Sequence, residues 1–513
     1  MKRFLCLLLC AVMLCACAAP ATPSTPETPE TPHVEETPKH VMPEELQGIL
    51  RTPERAVEPA PAPNPDAGYD YLVGYGRADI SPTVPVGLHG YNNYDLRKST
   101  IILDPLYVTC VAITGQNGES VMLVALDTIS SANLPDDAHQ VIMEATGNAI
   151  SSGKIFFNAS HSHSTPRPDK TNSPFIYVNA VSEAMAQAAK TAWESREKAV
   201  MYTSQAETEK LTFIRHYVCE DGSYHGAAWA RQASAPLKDH VIPGDNAVRL
   251  IRFDLEKGRD VLLMNFGVHP GLETYGKTTV KCTGVSADVV GGIRMVLEKY
   301  TDFDFMFLQA AGGDTLPVDE VHPDNDYDNI FDYGYAMYEF VKQALESETR
   351  QPGGTVAVHN YSSVMTVNHS EDHLLDAAKQ VQAYRRQNGL TGAQDFAKSV
   401  GLRQYQHASG IINRASLGET MNVPSAVFQV GPVGFASTPF ETFTETGNII
   451  REGSPYAFNF VLGYTNGGYG YLPVARAMVD YQSYEACSMR FVPGTAEAYG
   501  YELAQKLVQL KGE

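Results

Sequence analysis

The sequence predicts an α/β fold in which mixed β-sheets are flanked by helices. Short apolar runs occur in pairs joined by tight turns, and longer segments with helical spacing lie between those pairs. The paired runs are residues 107–113 with 120–126, 248–254 with 260–266, and 425–430 with 434–438. Because hairpins and helices are interspersed, the pattern favours mixed sheets with outer helices over a strictly alternating barrel.

The remaining elements are predicted from their own local patterns. Strands are expected at residues 154–158 and 303–308, each a short apolar run. Apolar residues at helical spacing predict the helices, which are residues 136–150, 174–196, 288–300, 329–347 and 373–387. No linker-like composition interrupts this region, so we predict one large domain at 68–513.

The N-terminal residues predict export and a lipid anchor. A short basic start precedes an apolar stretch at 4–14 that is too short to span a bilayer, and the letters LCAC follow at 14–17. This pattern resembles a bacterial lipobox, which implies a lipoprotein signal peptide at 1–17 and a lipid on Cys17. An ordinary secretory signal is the alternative. With the lipid, the protein is anchored to the outer face of the bacterial membrane, at the cell surface or in the periplasm.

Composition predicts a tether after the signal peptide and narrows the range of partners. Residues 18–67 are rich in Pro, Thr and Glu, which predicts a disordered segment. The net charge of −20 argues against nucleic acid as a partner. The predicted domain holds four scattered cysteines without a CxxC pair, so a cysteine zinc site is not expected. No pattern predicts an oligomeric state.

Candidate metal ligands follow three predicted strands. The letters HSHST at 161–165 end one of them, and residues two apart on an extended chain point to the same face, so His161 and His163 are expected side by side. His269 follows a second strand and Glu441 a third. Catalytic zinc takes three or four protein ligands and keeps one position for water. Surface histidines and a surface glutamate are the alternative on spacing alone.

Several motifs resemble the catalytic domain of the neutral/alkaline non-lysosomal ceramidase family. In order, they are VGYGRADIS at 73–81, GLHGY at 87–91, HSHSTP at 161–166, VH at 268–269, PFET at 439–442, NGGYGY at 466–471 and YEACS at 484–488. The resemblance covers residues from about 73 to 494 and implies a single large catalytic domain. Full-length family members continue into a C-terminal β-sandwich, which we do not expect here because the chain stops soon after residue 507.

The resemblance also implies a Zn²⁺ site and a set of catalytic residues. Carried over motif by motif, the zinc ligands are His161, His269, Glu441 and Tyr471, with Tyr469 as the alternative to Tyr471. A phenol becomes a good ligand only when a cation favours its ionised form. The implied catalytic residues are His163, which would polarise the substrate carbonyl, Tyr484, which would donate to the oxyanion, Arg215 near the site, and Asp314.

One residue departs from the family pattern. Ceramide-cleaving members place a serine beside the zinc, and Leu316 stands at that position here. Leucine offers no nucleophile, so a water activated by zinc is the expected nucleophile. The resulting hypothesis is an exported zinc-dependent amidohydrolase of the neutral ceramidase type, acting on N-acylsphingosine or a related small lipid-like amide.

Other functions compete with this hypothesis. A zinc hydrolase for a different amide or ester, and a catalytically altered binding lipoprotein on the same fold, remain open alternatives. The amidohydrolase barrel also begins with His-x-His, but the later lysine, histidines and aspartate that it needs are not found as a convincing set. The metallo-β-lactamase pattern fails because PRPD at 166–169 replaces its aspartate-histidine pair.

Overall fold

Two β-sheets stack face to face, and helices cover both outer faces. The structure, a computed structural model, describes residues 41–91, 97–226, 233, 235–274, 282–325, 327–481 and 483–512. The predicted signal peptide, its lipid on Cys17 and residues 18–40 of the predicted tether lie outside these residues. The predicted class, mixed sheets flanked by helices, is confirmed.

The described residues form the following elements. The helices are α1 (Ala138–Ala145), α2 (Phe175–Glu194), α3 (Val289–Tyr300), α4 (Ile330–Glu346), α5 (Leu375–Asn388), α6 (Ala393–Ser399), α7 (His407–Ala415), α8 (Thr444–Gly453), α9 (Ala475–Val479) and α10 (Thr495–Lys511). The strands are β1 (Tyr71–Asp79), β2 (Ile101–Ile102), β3 (Tyr107–Thr114), β4 (Ser120–Leu126), β5 (Ile155–Ala159), β6 (Glu197–Glu207), β7 (Phe213–Ile214), β8 (Tyr217–Cys219), β9 (Tyr224–His225), β10 (Leu237–His240), β11 (Ala247–Leu255), β12 (Val261–Phe266), β13 (Gly284–Val285), β14 (Asp304–Gln309), β15 (Thr315–Leu316), β16 (Thr349–Arg350), β17 (Val356–Thr366), β18 (Thr420–Val430), β19 (Val433–Ser437), β20 (Glu441–Thr442), β21 (Phe458–Leu462) and β22 (Tyr471–Leu472).

The first sheet has the strand order β14-β12-β11-β6-β1-β3-β4-β5, with β16 beside β6. Its pairs are antiparallel except β12 with β14 and β4 with β5, which are parallel. The alternation of side chains along β3 explains how both faces are covered. Val111 and Ile113 face the second sheet, whereas Cys110 and Ala112 pack with the residues of α2. Both faces of this sheet are therefore buried.

The second sheet has the order β17-β18-β19-β21, with a parallel pair at β19 and β21. Aromatic rings fill the space between the two sheets. Phe428 lies 4.2 Å from Phe156 of the first sheet and 4.5 Å from Phe435 between ring centroids. Helices α8 and α10 pack on the outer face of the second sheet, and α1 to α4 pack on the outer face of the first.

Residues 41–67, the second half of the predicted tether, lie against the folded domain. The backbone N–H of Arg51 donates to the Val364 carbonyl at 2.7 Å, and that of Ala60 donates to the Leu510 carbonyl at 2.8 Å. Val57 is buried, and Leu50 packs on the same apolar cluster as α10. These residues differ from a flexible tether because their few apolar side chains find a surface to bury against.

Helices α5, α6 and α7 pack on one another around an apolar cluster of their own. Glu371, just before α5, ties them together, since its carboxylate contacts His407, Arg403 and Arg414. Burial would raise the pKa of Glu371, but these cationic partners lower it to about 2.

Two further observations concern the whole described region. Cys110, Cys219, Cys282 and Cys487 form no disulfide there. No helix among the described residues is both long and apolar enough to cross a membrane.

Candidate active site

Four strand ends meet at one edge of the stacked sheets. His161 follows β5, His269 follows β12, the loop after β14 lies between them, and Tyr464 follows β21. The backbone N–H of Gly463 donates to the Gln309 carbonyl at 3.1 Å, which joins the ends of β21 and β14. Side chains from distant parts of the sequence are thus brought to one place by the register of the strands.

Two buried amide side chains hold these ends together. Asn158 Nδ2 donates to the carbonyls of Gln309 at 3.1 Å and Gly463 at 2.8 Å. Gln309 Nε2 donates to the carbonyls of Ser160 at 2.9 Å and Val268 at 2.6 Å, and Gln309 Oε1 accepts from the Val268 N–H at 3.2 Å. Ser160 and Val268 directly precede the first and third histidines of the site. Gln309 therefore fixes the backbone from which both imidazoles extend.

The sequence predicted that His161 extends from the end of a strand, and the structure shows otherwise. Strand β5 ends at Ala159, and His161 has a left-handed backbone with φ of 66°. Such a conformation is uncommon for a residue other than glycine. The His161 N–H donates to the Thr128 carbonyl at 3.0 Å, which holds the turn in place. His161 and His163 nevertheless lie close together, with 5.1 Å between their ring centroids.

The hydrogen bonds of the histidines define which ring nitrogens face the site. A carbonyl only accepts, so the contact of 2.6 Å between His161 Nδ1 and the Ile129 carbonyl places a proton on Nδ1, and in the neutral imidazole the lone pair is then on Nε2. His269 Nδ1 contacts the Gly312 carbonyl at 3.3 Å in the same way. Burial lowers the pKa of His163 and His269 well below the ordinary value, and neighbouring charges lower it further. Both imidazoles are therefore neutral at pH 7, which is the form that binds metals.

The atoms that converge here form a suitable set of metal ligands. His161 Nε2 lies 3.2 Å from Glu441 Oε2, and His163 Nε2 lies 3.0 Å from His269 Nε2. The ligating nitrogens of the three histidines all lie within 4.8 Å of one another. Ligands of a tetrahedral zinc at about 2.0 Å from the metal are themselves about 3.3 Å apart, which resembles this spacing. The histidine cluster is confirmed as a group that could hold a metal.

Two of these atoms have no hydrogen-bond partner among the described residues. They are His161 Nε2 and Glu441 Oε2, both of which are buried. When His161 is the neutral imidazole that binds metals, a nitrogen lone pair faces a carboxylate oxygen, and two acceptors at this distance repel one another. A cation between them removes the repulsion and satisfies both atoms. The residues present therefore fit a bound metal ion.

Tyr471 lies beside Glu441 because β22 pairs in parallel with β20, with these two residues in register. Its ring stacks on His269 with 6.4 Å between centroids. Burial raises the pKa of Tyr471 well above the ordinary value, and the charge of Glu441 raises it further, so without a cation the phenol stays protonated. Tyr469, the alternative ligand, instead packs against Phe440 at 5.7 Å. Of the two tyrosines, Tyr471 is the one on the wall of the cavity described below.

Arg215 and Asp314 lie behind this wall. Arg215 Nε donates to Glu485 Oε1 at 2.8 Å, and its Nη2 donates to the Gly313 carbonyl at 2.8 Å. Asp314 Oδ1 accepts from both the N–H and the hydroxyl of Thr444, each at 2.9 Å, at the first residue of α8. Burial raises the pKa of Asp314 to about 6. In this structure both residues contact the framework of the site, and neither lines the described cavity wall.

A cavity of about 580 Å³ opens onto the cluster. Of the predicted metal ligands and catalytic residues, five line it, namely His161, His163, Glu441, Tyr471 and Tyr484. Tyr484 stands edge-on to Tyr471 with 5.9 Å between centroids. Leu316 is buried in the apolar core and pairs with Phe213, so it is not on the described wall.

Sequence reasoning missed several residues of this site. Tyr464 lies over the His161 ring at 4.3 Å, and its hydroxyl is 3.4 Å from His269 Nδ1. It follows the apolar run of β21 as His161 follows β5, so the same strand-end signal was present. Arg167, Arg385 and Arg490 also line the cavity, and no local pattern marks them.

The fold has known counterparts among solved structures, although no family model and no curated protein sequence matches the chain. One counterpart is neutral ceramidase from Pseudomonas aeruginosa, and a second is a ceramidase complexed with C2. Each has a TM-score of 0.60 and 15% sequence identity, and each alignment covers 86% of this chain and 75% of the other. The chain is thus similar to neutral ceramidase in fold.

Proposed function

We propose that this protein is an exported, lipid-anchored zinc hydrolase that cleaves an amide bond in a small lipid-like substrate. The observation that carries the proposal is the pair of facing acceptors, His161 Nε2 and Glu441 Oε2, 3.2 Å apart on the wall of a cavity. The similarity in fold to neutral ceramidase, together with the sequence motifs, makes N-acylsphingosine the first substrate to test.

His161, His269, Glu441 and Tyr471 would hold the ion, and the position of His163 makes it a competing ligand. When bound, Zn²⁺ supplies a Lewis acid that polarises a carbonyl and lowers the pKa of a water toward 7. The carbonyls of Ile129 and Gly312 orient two of the imidazoles, as groups behind metal ligands generally do.

Two side chains on the wall complete the proposed chemistry. Burial raises the pKa of Tyr484 far above its ordinary value, so its hydroxyl is protonated at neutral pH and donates a hydrogen bond to the oxyanion of the attacked carbonyl. His163 lines the same cavity, so it is the side chain placed to take up and return a proton as the amide bond breaks. No side-chain nucleophile is required, which agrees with the burial of Leu316 in the core.

Metal content tests the proposal directly. We expect one zinc per chain in the purified protein by elemental analysis, and its loss in His161→Ala. His373→Ala is the matched control, because His373 is exposed and does not line the described cavity wall, and this variant keeps its metal. A native protein that binds no zinc when supplied with it would overturn the proposal.

Turnover is tested next, with release of fatty acid from N-acylsphingosines of several chain lengths. We expect release by the zinc-loaded protein and none by His161→Ala. A protein that holds zinc but releases no fatty acid from any N-acylsphingosine contradicts ceramide hydrolysis. If it also leaves other amides and esters intact, a binding lipoprotein is the better conclusion, which the leucine at position 316 favours.

A further inference from the structure

Three arginines line the same cavity as the histidine cluster. Arg167 lies in the loop after β5, Arg385 on α5, and Arg490 in the loop before α10. Their convergence is unusual in a chain whose net charge is −20. Positive charges that line one partly enclosed space attract a negatively charged ligand into it.

Several buried arginines of this protein contact a carboxylate, whereas the fully buried Arg97 donates to backbone carbonyls. Arg294 pairs with Asp127, Arg414 with Glu371, and Arg451 with Asp245. Arg385 and Arg490 have no such ion pair among the described residues, although both are partly buried. At the cavity, Arg385 and Arg490 therefore lack the carboxylate partner that Arg294, Arg414 and Arg451 have.

Aromatic rings hold these two guanidinium groups in place. Arg385 lies over the Tyr405 ring at 4.8 Å, and Arg490 lies over the Tyr469 ring at 5.7 Å. Arg385 Nε is buried and has no hydrogen-bond partner in the described part of the chain. Burial also lowers the pKa of Arg490, although an arginine stays charged at neutral pH. Stacked in this way, the donors are preorganised for a planar oxyanion.

Arg490 lies close in the structure to Glu441, one of the proposed metal ligands. Its stacking partner Tyr469 packs against Phe440, the residue directly before Glu441. The wall around the arginines is largely polar, and its few apolar members are Ile129, Ala132, Pro439 and Phe440. A neutral headgroup leaves the guanidinium groups without a partner, whereas a carboxylate accepts two parallel hydrogen bonds from each of them.

Building on the proposed amide hydrolysis, we propose that the substrate is an anionic amide, in which a carboxylate close to the scissile bond contacts Arg385 and Arg490. Such a substrate is an N-acylated amino acid, or an amide whose acyl part ends in a carboxylate. Both carry the carboxylate that the arginines recognise. After hydrolysis this carboxylate is on the amine product in the first case and on the acid product in the second. Neutral sphingolipid amides are then cleaved as well, but with a lower kcat/KM than these anionic amides.

Matched substrates test this inference with the zinc-loaded full chain. N-lauroylglycine carries the carboxylate on the amine side, N-dodecylsuccinamate carries it on the acyl side, and N-lauroylethanolamine is the neutral reference. We expect kcat/KM to be about 10- to 100-fold higher for one of the anionic amides than for the reference, the range for a charged hydrogen bond. Arg385→Gln and Arg490→Gln are expected to lower this ratio, and the control Arg386→Gln, which changes the exposed neighbour on α5, is expected to retain it.

Binding is measured separately by the shift in Tm that each amide causes in metal-free protein. If the neutral amide is cleaved as well as the anionic ones and Arg385→Gln leaves the ratio unchanged, the inference is wrong while hydrolysis stands. If nothing is cleaved but N-lauroylglycine or N-dodecylsuccinamate raises the Tm of the parent protein more than that of Arg385→Gln, anion recognition stands and hydrolysis fails. If no amide is cleaved and none shifts the Tm, both the inference and the proposed hydrolysis are overturned.

Discussion

Replacing Gln309 by methionine removes the side-chain amide that joins the two histidine-bearing strand ends. The change keeps a similar volume but leaves three buried groups without a partner, namely the carbonyls of Ser160 and Val268 and the N–H of Val268. An unsatisfied buried group costs about 1 to 3 kcal/mol. Relaxation of the neighbouring backbone reduces the sum, so we expect a loss of about 3 to 5 kcal/mol, a large share of the stability of an ordinary domain.

The same variant is expected to bind zinc about 10- to 100-fold more weakly, the usual effect of removing a group that orients a metal ligand. The loss of stability is measured by urea unfolding monitored by circular dichroism. The weakening of zinc binding is measured by competition with a zinc chelator. Gln429→Met is the matched control, because Gln429 is also buried on a strand and bonded through both ends of its amide, to Thr355 and Tyr456, but does not contact the site. If Gln309→Met weakens zinc binding no more than Gln429→Met does, the reasoning is refuted.

Two further predictions concern the support of the site. Gly313→Ala brings a Cβ against the Glu441 carbonyl oxygen, so we expect a loss of about 1 to 3 kcal/mol in urea unfolding and weaker zinc binding. Gly418→Ala, whose Cβ meets only the Thr420 carbonyl oxygen at 3.9 Å, is expected to change neither, and equal effects of the two variants would contradict this reasoning. Burial would raise the pKa of Glu485, but Arg215 and other cationic neighbours lower it to about 2. The ionised carboxylate therefore stabilises the fold above about pH 4.5, and this contribution is lost as the pH falls toward 2. Glu485→Gln should therefore show a flatter pH dependence of its unfolding free energy across that interval, and an unchanged slope would contradict the assignment.

Elements specified by local sequence were predictable. The hairpin of β3 and β4 is closed by a turn in which Gly118 has φ of 77°, and the register runs from Val108 opposite Leu126 to Thr114 opposite Ser120. The stacking of the two sheets was not predicted, since it depends on contacts such as Phe156 with Phe428 between distant parts of the chain. Strand β17 was also missed because its polar residues hide the apolar pattern.

The candidate site was predictable to the extent that it follows strand ends. That rule indicated His161, His269 and Glu441, and the resemblance added Tyr471, whose register with Glu441 is a tertiary fact. The buried side chains that hold the site together are harder to predict. Nothing in the sequence around Gln309 indicates that its amide joins two strands. Arg385 is harder still, since a helical arginine is ordinarily a surface residue and only the packing of α5 brings it to the cavity.

The separate apolar cluster of α5, α6 and α7 has a consequence for how proteins with this fold could diversify. The histidines follow strands of the central sheets. Arg385, in contrast, lies on a helix whose packing depends on residues such as Val381 and Ile411. A substitution on α5 can change the charge presented to a ligand without altering strand register or the buried amides around β14. The proposed selectivity and the proposed bond cleavage thus depend on different parts of the chain, which mutation can change independently. Relatives with this fold are therefore expected to differ first on the helical side of the cavity.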